Sequence, residues 1–257
     1  MHVVFHTHSF VLGLAGSRLL ALALGVLSVA GVTSSRPGSV DPAEALRQAA
    51  VNEEKAKALE RDFSYRKTIL VQTFGEAGTL RGQLQRVSEF GGYDDLGNRI
   101  ERVLSAPPSP LTSLFGTQQP DFKTFLGVDP FFLTTDALTR HSVNFVAKQK
   151  IDDLETLAFD LEPKDPKKFA KENRPFKGKI WIDERDLQMV KCEGRAVTTK
   201  DDRERFPKFE YYRENVEGNL WLPSVVLAKD VLDLERYDLP IRIEIKYTGY
   251  KRVKTRR

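Results

Sequence analysis

The residues in this sequence that could do chemistry are few and scattered. Of the four histidines, His2, His6 and His8 lie near the start, and only His141 lies in the body of the chain. Cys192 is the single cysteine, so no internal disulfide can form. A thiol nucleophile or a hydroxyl nucleophile would need a histidine beside it, which leaves His141 alone for that role. We interpret Cys192 as a small packing residue of a predicted strand.

Carboxylates and short motifs indicate no reaction either. Adjacent aspartates occur between predicted strands, at Asp94/Asp95, Asp152/Asp153 and Asp201/Asp202. Paired carboxylates can hydrolyse glycosides, but in turns of a charged sheet we interpret them as solvated residues. The segment from Asp183 to Asp186 lacks the alternating oxygen ligands of a calcium loop, and no nucleophile elbow, zinc-protease helix or phosphate loop occurs. We therefore predict a protein that is not an enzyme and that uses no metal and no cofactor.

The charge balance excludes nucleic acid as a partner. The chain has 40 basic and 36 acidic residues and a net charge of +4, too even for a phosphate backbone. One basic cluster stands out, at the C-terminus: Lys246, Lys251, Arg252, Lys254, Arg256 and Arg257. It could contact an anionic membrane surface, or it could be a solvated tail.

The start of the chain predicts export. Leu19 to Val32 is an apolar run that follows Arg18 and ends in small residues, as in a signal peptide. We assign residues 1–35 to a signal peptide or N-terminal anchor, and residues 36–257 to a single domain. As the alternative to cleavage, residues 9–32 could anchor the protein in a membrane, with Arg18 as a costly interruption. In both cases we expect the domain in the periplasm.

The body of the chain predicts one helix followed mainly by strands. Asp41 and Pro42 are typical of a helix start, and the helical composition continues to Leu59. About ten strands follow, many joined by turn signals: Phe63 to Phe74, Leu80 to Tyr93, Arg99 to Leu104, Ser142 to Lys150, Leu154 to Leu161, Lys177 to Ile182, Leu187 to Val197, Lys208 to Glu217, Leu220 to Leu232 and Pro240 to Val253. In the last strand Ile241, Ile243 and Ile245 alternate with charged residues, so we expect them on a dry inner face.

Residues 111–139 differ in composition from the predicted strands. They hold five of the sixteen phenylalanines, interrupted by Gly and Pro. We predict short helices at Asp121 to Leu126 and Pro130 to Thr139, and another short helix or turn at Asp165 to Glu172. Phe122, Phe125, Phe131 and Phe132 either line the mouth of an apolar cavity or fill a static core.

The C-terminal strands carry a family resemblance. In order, they contain Leu161-Glu162-Pro163-Lys164, Phe176-Lys177-Gly178-Lys179-Ile180-Trp181-Ile182-Asp183, Met189-Val190-Lys191-Cys192-Glu193-Gly194, Gly218-Asn219-Leu220-Trp221-Leu222-Pro223, and a last strand with Tyr247 and Tyr250. Over residues 156–253 this series resembles the LolA-like superfamily, which includes the outer-membrane lipoprotein-sorting proteins.

The resemblance implies an α+β fold, in which an antiparallel, strongly curved sheet forms an unclosed half-barrel with helices over its open side. It also implies a non-catalytic carrier whose apolar cavity receives a lipid acyl chain or a lipoprotein. The candidate cavity residues are then Phe122, Phe125, Phe131, Phe132, Ile241, Ile243 and Ile245. Two alternatives stay open, a periplasmic sensing or scaffolding module that binds a protein partner, and an unrecognised hydrolase.

Export has a direct test. We expect the mature protein to lack residues 1 to about 35, because the apolar run after Arg18 is typical of a cleaved signal. N-terminal sequencing of the soluble periplasmic form checks this. A soluble form that begins before Leu19 would contradict cleavage, and a membrane-bound form that does so would support the anchor.

Overall fold

The computed structural model describes residues 40–95, 97–115, 125–128, 133–166, 175–197, 206–233 and 237–253. Their helices are α1 (Pro42–Leu59), α2 (Leu111–Phe115) and α3 (Thr135–Arg140). Their strands are β1 (Phe63–Phe74), β2 (Leu80–Tyr93), β3 (Arg99–Ser105), β4 (His141–Ile151), β5 (Leu154–Pro163), β6 (Phe176–Asp183), β7 (Met189–Ala196), β8 (Phe209–Glu217), β9 (Leu220–Asp233) and β10 (Asp238–Arg252).

The ten strands within these ranges form one antiparallel sheet in the order β3-β2-β1-β10-β9-β8-β7-β6-β5-β4. Most neighbouring strands follow one another in the sequence and form hairpins. The exception is the pairing of β1 with β10, which sets Ile69 opposite Ile245 and Val71 opposite Ile243. In the part of the chain that is described, β3 and β4 are the two edges and do not pair with each other. The predicted open, antiparallel sheet of about ten strands is confirmed.

One helix covers the inner face of the sheet. Asp41 caps α1 by accepting a hydrogen bond from the Glu44 amide, at 3.2 Å, and Pro42 occupies the first helical position. The buried stripe of α1 is made of small residues with one exception: Ala45, Ala49, Ala50, Glu53 and Ala56. Small side chains let the helix axis approach the strands closely.

The contacts of α1 show that the sheet is curved. The 18 residues of α1 make a helix about 27 Å long, whereas ten strands laid flat would span about 43 Å. Glu54 nevertheless accepts a hydrogen bond from the Thr135 amide, shortly before edge strand β4, at 3.1 Å. Just beyond the end of α1, Glu60 lies 4.0 Å from Arg99 on edge strand β3. The sheet therefore wraps around the helix as a half-barrel, which confirms the predicted fold class.

The inward alternation of β10 is also confirmed. Ile241, Ile243 and Ile245 are at most 2% exposed and belong to the main core, whereas Arg242 and Lys246 are exposed. Among the described residues, no helix is both long and apolar enough to cross a membrane.

Some predicted bounds were wrong or cannot be compared. Strand β7 begins at Met189 rather than at Leu187, because Leu187 has φ of 47° and donates its amide to the Asp183 carbonyl in the preceding turn. Helix α3 begins only at Thr135, because Thr134 caps it by accepting from the Ala137 amide. Most of the predicted helices at residues 121–126 and 165–172 lies outside the described residues.

The alternation of β10 predicts that substitutions at neighbouring positions differ greatly in their effect on stability. Replacing Ile243, which is 1% exposed, by Asp should lower the free energy of unfolding by several kcal/mol, because it buries a charge without a partner. Glu244→Lys removes only a partly exposed ion pair with Lys246, so its cost should stay below about 1 kcal/mol. Denaturant unfolding measures both. Equal tolerance of the two changes would mean that the register of β10 is wrong.

Candidate functional site: the concave face

Most of the concave face is apolar. Alternate residues of the central strands converge on it, so that Ile243 lies beside Val71 on one side and Ala228 on the other, and Val226 pairs with Ile245. Aromatic rings of β6 and β8 continue the surface, with the centroids of Phe176 and Phe209 5.8 Å apart. These side chains form a single buried cluster with the alanines of α1. A ligand on this face would meet hydrocarbon almost throughout.

Phe125 is one of the predicted cavity residues, and it is buried in this cluster. Phe125 is 2% exposed and Leu126 is fully buried. Next to them, Gly127 has φ of 77°, and a Cβ atom there would lie 2.6 Å from the Phe206 ring. Such close packing is typical of a filled core around Phe125. The other predicted phenylalanines, Phe122, Phe131 and Phe132, lie outside the described residues.

A buried ion pair interrupts the apolar surface where α1 crosses β7 and β8. The Arg213 guanidinium donates to Glu53 Oε1 at 2.8 Å, and neither side chain is exposed. The same carboxylate oxygen accepts from the Met189 amide at 3.1 Å. Burial disfavours the Arg213 cation, but the facing Glu53 carboxylate outweighs this and raises the pKa of Arg213, so the guanidinium stays charged.

Tyrosines gather beside this ion pair, on the inner face of β1, β8 and β10. The ring of Tyr65 lies 5.6 Å from that of Tyr247 and 5.4 Å from that of Tyr250, and the Arg213 guanidinium lies 5.5 Å from the Tyr211 ring. Burial raises the pKa of all four phenols, so they are neutral at physiological pH. We call Tyr65, Tyr211, Tyr247 and Tyr250 the tyrosine cluster.

The concave face becomes polar towards edge strand β3. Arg86 donates through Nε and Nη2 to Glu101 Oε1, at 3.1 and 2.9 Å, and the Ser88 hydroxyl donates to the same oxygen at 2.6 Å. Arg86 and Ser88 are buried. Further along the inner face, Arg99 lies 4.7 Å from the Tyr65 ring. The concave face is thus amphipathic, with hydrocarbon over most of β5 to β10, interrupted by the Glu53–Arg213 pair, and with paired charges over β2 and β3.

The two candidate catalytic groups are engaged structurally. Both ring nitrogens of His141 contact backbone carbonyl oxygens, Nδ1 that of Ala137 at 2.8 Å and Nε2 that of Phe176 at 2.9 Å. Cys192 is fully buried on β7, and burial raises the pKa of its thiol. Neither group is presented to a substrate as a base or a nucleophile.

Several of the acidic residues predicted to lie in turns accept hydrogen bonds there. Asp94 accepts from the amide and side chain of Asn98, at 2.8 and 3.1 Å. Asp183 accepts from the Asp186 amide at 2.7 Å, and Asp186 accepts from the Trp221 indole at 2.8 Å. Among the described residues, no three His, Cys, Asp or Glu side chains meet as a metal site.

The residues that carry the sequence resemblance are divided between the two faces of the sheet: most of the buried ones, such as Ile180, Ile182 and Tyr247, belong to the main core. Trp181 and Trp221 pack with Ala158 and Val190 on the other face of the sheet. The Trp181 indole donates to Gln149 at 2.7 Å. The two tryptophans therefore stabilise hairpins rather than line the candidate site.

The ion pair and the tyrosine cluster were not predicted from the sequence. One local signal was present for Glu53, because it stands in an otherwise small apolar stripe of α1, in register with Ala45 and Ala49 at four-residue spacing. No local signal pointed to Arg213, which lies 160 positions further on.

The chain is similar to several solved structures, each at low identity and with a TM-score below 0.5. It is 10% identical to a DUF1329 family protein from Desulfovibrio piger, with TM-score 0.41, over 82% of this chain and 93% of that chain. It is 12% identical to a LolA superfamily protein from Nitrosomonas europaea, with TM-score 0.37, over 80% and 94%. An outer membrane lipoprotein-sorting protein domain from Vibrio parahaemolyticus is 11% identical, with TM-score 0.35, over 80% and 92%.

No family model and no curated protein sequence matches the chain.

The buried ion pair predicts a non-additive pair of substitutions. Glu53→Gln should cost about 3–5 kcal/mol of unfolding free energy, because it leaves the Arg213 charge buried without a counter-ion. Replacing both residues by Met should cost much less than the sum of the single changes, because no charge is then buried. Denaturant unfolding of the double-mutant cycle measures this. Additive costs would show that Glu53 and Arg213 do not interact.

Proposed function

We propose that the protein is an exported, non-catalytic carrier whose concave face receives an acyl chain of a lipid or lipoprotein. The observation that carries the proposal is an apolar inner face in a sheet whose edges do not pair within the described residues. Each methylene group that enters such a site gains about 0.8 kcal/mol. An unclosed half-barrel leaves a side through which a chain can enter and leave.

The site in this proposal combines a fixed wall with a displaceable cover. Ile241, Ile243 and Ile245 lie on β10 in the middle of the sheet and form the wall. Phe122, Phe131 and Phe132 would line or plug the mouth, and Phe125 would anchor that segment in the core. The amphipathic character of the face suits an acyl chain over β5 to β10 and its polar end towards Arg86.

A protein partner is the second candidate function. Both edge strands carry exposed apolar side chains, at Ile100, Val103 and Leu104 on β3 and at Phe145 and Val146 on β4. Unpaired edge strands can bind an extended segment of another chain. The engaged state of His141 and of the Cys192 thiol argues against a hydrolase that depends on either group.

Uptake of a fluorescent fatty acid, with displacement by an unlabelled one, tests the carrier. The wild type should bind, and Phe131→Ala should bind more weakly while losing less stability than the 3–5 kcal/mol typical of a static core Phe. Phe125→Ala is the reference for a core position, because Phe125 is buried. Leu227→Ala, at an exposed position of β9, is the control that should leave uptake unchanged.

Each outcome is decisive for one part of the proposal. A large fall in melting temperature with unchanged uptake would end the plug role of Phe131 and leave the carrier intact. A wild type that takes up no fatty acid, and that carries no lipid in native mass spectrometry after purification from its own periplasm, would overturn the carrier. Co-purification of a protein instead would favour the partner-binding alternative.

A further inference from the structure

A groove of about 540 Å³ lies on the convex face, where β10, β1, β2 and β3 run side by side. Tyr65 and Phe90 of the inner face also line it, but nothing in the proposed function uses it. Several of the residues that line it have small side chains or none: Ser64, Gly91, Thr248 and Gly249. The β1–β10 register shifts between Ser64 and Arg66, and the β2–β3 register shifts between Phe90 and Tyr93, so both pairings are irregular at this level.

The groove is open at Gly91 because this residue has no side chain. A Cβ atom at Gly91 would lie 3.1 Å from Ser64 Cβ, so a larger residue would occupy the groove. Thr248 is exposed beside them. The groove is therefore open to solvent and has hydroxyl groups at its base.

Cations surround the groove. Arg66, Arg102 and Lys251 line it together with a single carboxylate, Glu89. Glu89 accepts from Arg66 Nη2 at 2.9 Å and also from Arg102 Nη2. Hydrogen bonds from Arg102 and Arg66 lower the pKa of Glu89, so the carboxylate is ionised at physiological pH. The local balance is two positive charges in excess.

Donors remain for a ligand. A guanidinium has five N–H groups, and Glu89 takes up only one Nη nitrogen of each arginine. The backbone carbonyl of Lys251 accepts from the Ser64 hydroxyl, which fixes the end of β10 beside the groove. The sequence continues from there with Lys254, Arg256 and Arg257. Two arginine forks, an ammonium and the Thr248 hydroxyl match the oxygens of a phosphate group.

We propose that this groove binds the phosphate group of an anionic phospholipid and docks the convex face of the protein on an anionic membrane surface. A lipid is the chosen source because the groove lies on an exposed face and its lining carries two positive charges in excess, which suits an anionic surface. Such docking would hold the carrier at the membrane while leaving its concave face free.

Sedimentation with phosphatidylglycerol vesicles, against phosphatidylcholine vesicles, tests the groove. The double variant Arg66→Gln/Arg102→Gln should reduce the partition onto anionic vesicles about thirtyfold, because each basic residue contributes about 1 kcal/mol at such a surface. The matched control is Lys177→Gln/Lys179→Gln, which removes the same charge from exposed pairs with Glu162 and Asp160. The control should bind nearly as the wild type does.

A second variant separates a phosphate site from diffuse attraction. Thr248→Gln adds volume to the groove without changing charge, and it should also weaken binding several-fold. The proposal would be overturned if Arg66→Gln/Arg102→Gln and the control Lys177→Gln/Lys179→Gln lost vesicle binding to the same extent. It would also be overturned if Arg66→Gln/Arg102→Gln bound as the wild type does. Competition by inorganic phosphate at matched ionic strength, lost in Arg66→Gln/Arg102→Gln, would support the site. If inorganic phosphate binds in the groove but the protein does not bind anionic vesicles, the membrane-docking proposal is overturned.

The experiment is independent of the acyl-chain site. Arg66, Arg102 and Thr248 point away from the concave face, so their variants should take up fluorescent fatty acid as the wild type does. Failure of vesicle binding therefore leaves the carrier proposal standing, and failure of fatty-acid uptake leaves the convex groove standing.

Discussion

The ion pair between Glu53 and Arg213 is the interaction on which the arrangement of helix and sheet depends. Removing two charges from water is expensive, and the geometry must recover that cost. Here one carboxylate oxygen accepts from the guanidinium and from the Met189 amide, at 2.8 and 3.1 Å. Both contacts exist only when α1 lies at one position and one rotation on the sheet. The pair therefore specifies where the helix sits, whereas the surrounding alanines would tolerate sliding.

Once α1 is fixed, the curvature of the sheet follows. The helix is shorter than the width of ten flat strands, and elements near both edges contact it or the turn that follows it, at Thr135 and Arg99. Curving the sheet gives its two faces different tasks. The concave face concentrates hydrocarbon under the helix, while the convex face spreads its side chains apart and leaves grooves between them. Acyl-chain binding and surface docking can therefore reside in one domain without sharing residues.

Local structure was predictable because its signals are local. The Asp41-Pro42 start of α1, the Gly218-Asn219 turn and the alternation of β10 each depend on residues close in sequence. The pairing of β1 with β10 was not predictable in this way, because both are apolar, alternating strands that could pair with several others. The same limit applies to Arg213, whose partner lies in a distant helix. Leu187 shows a smaller failure, since its apolar character fits a strand while the Asp183 turn imposes φ of 47°.

The division between faces also explains why the sequence resemblance says more about fold than about ligand. Trp181 and Trp221 carry the most recognisable motifs, and they pack with Val190 on the convex face, tied by their indole groups to Gln149 and Asp186. A cluster of this kind stabilises three hairpins at once, so it is useful to any protein with this sheet. The apolar part of the concave face consists of aliphatic and aromatic residues, and hydrocarbon burial is not directional. Specificity for one lipid or partner would therefore come from the polar margins, near Arg86 on the concave side, rather than from the motifs that reveal the fold.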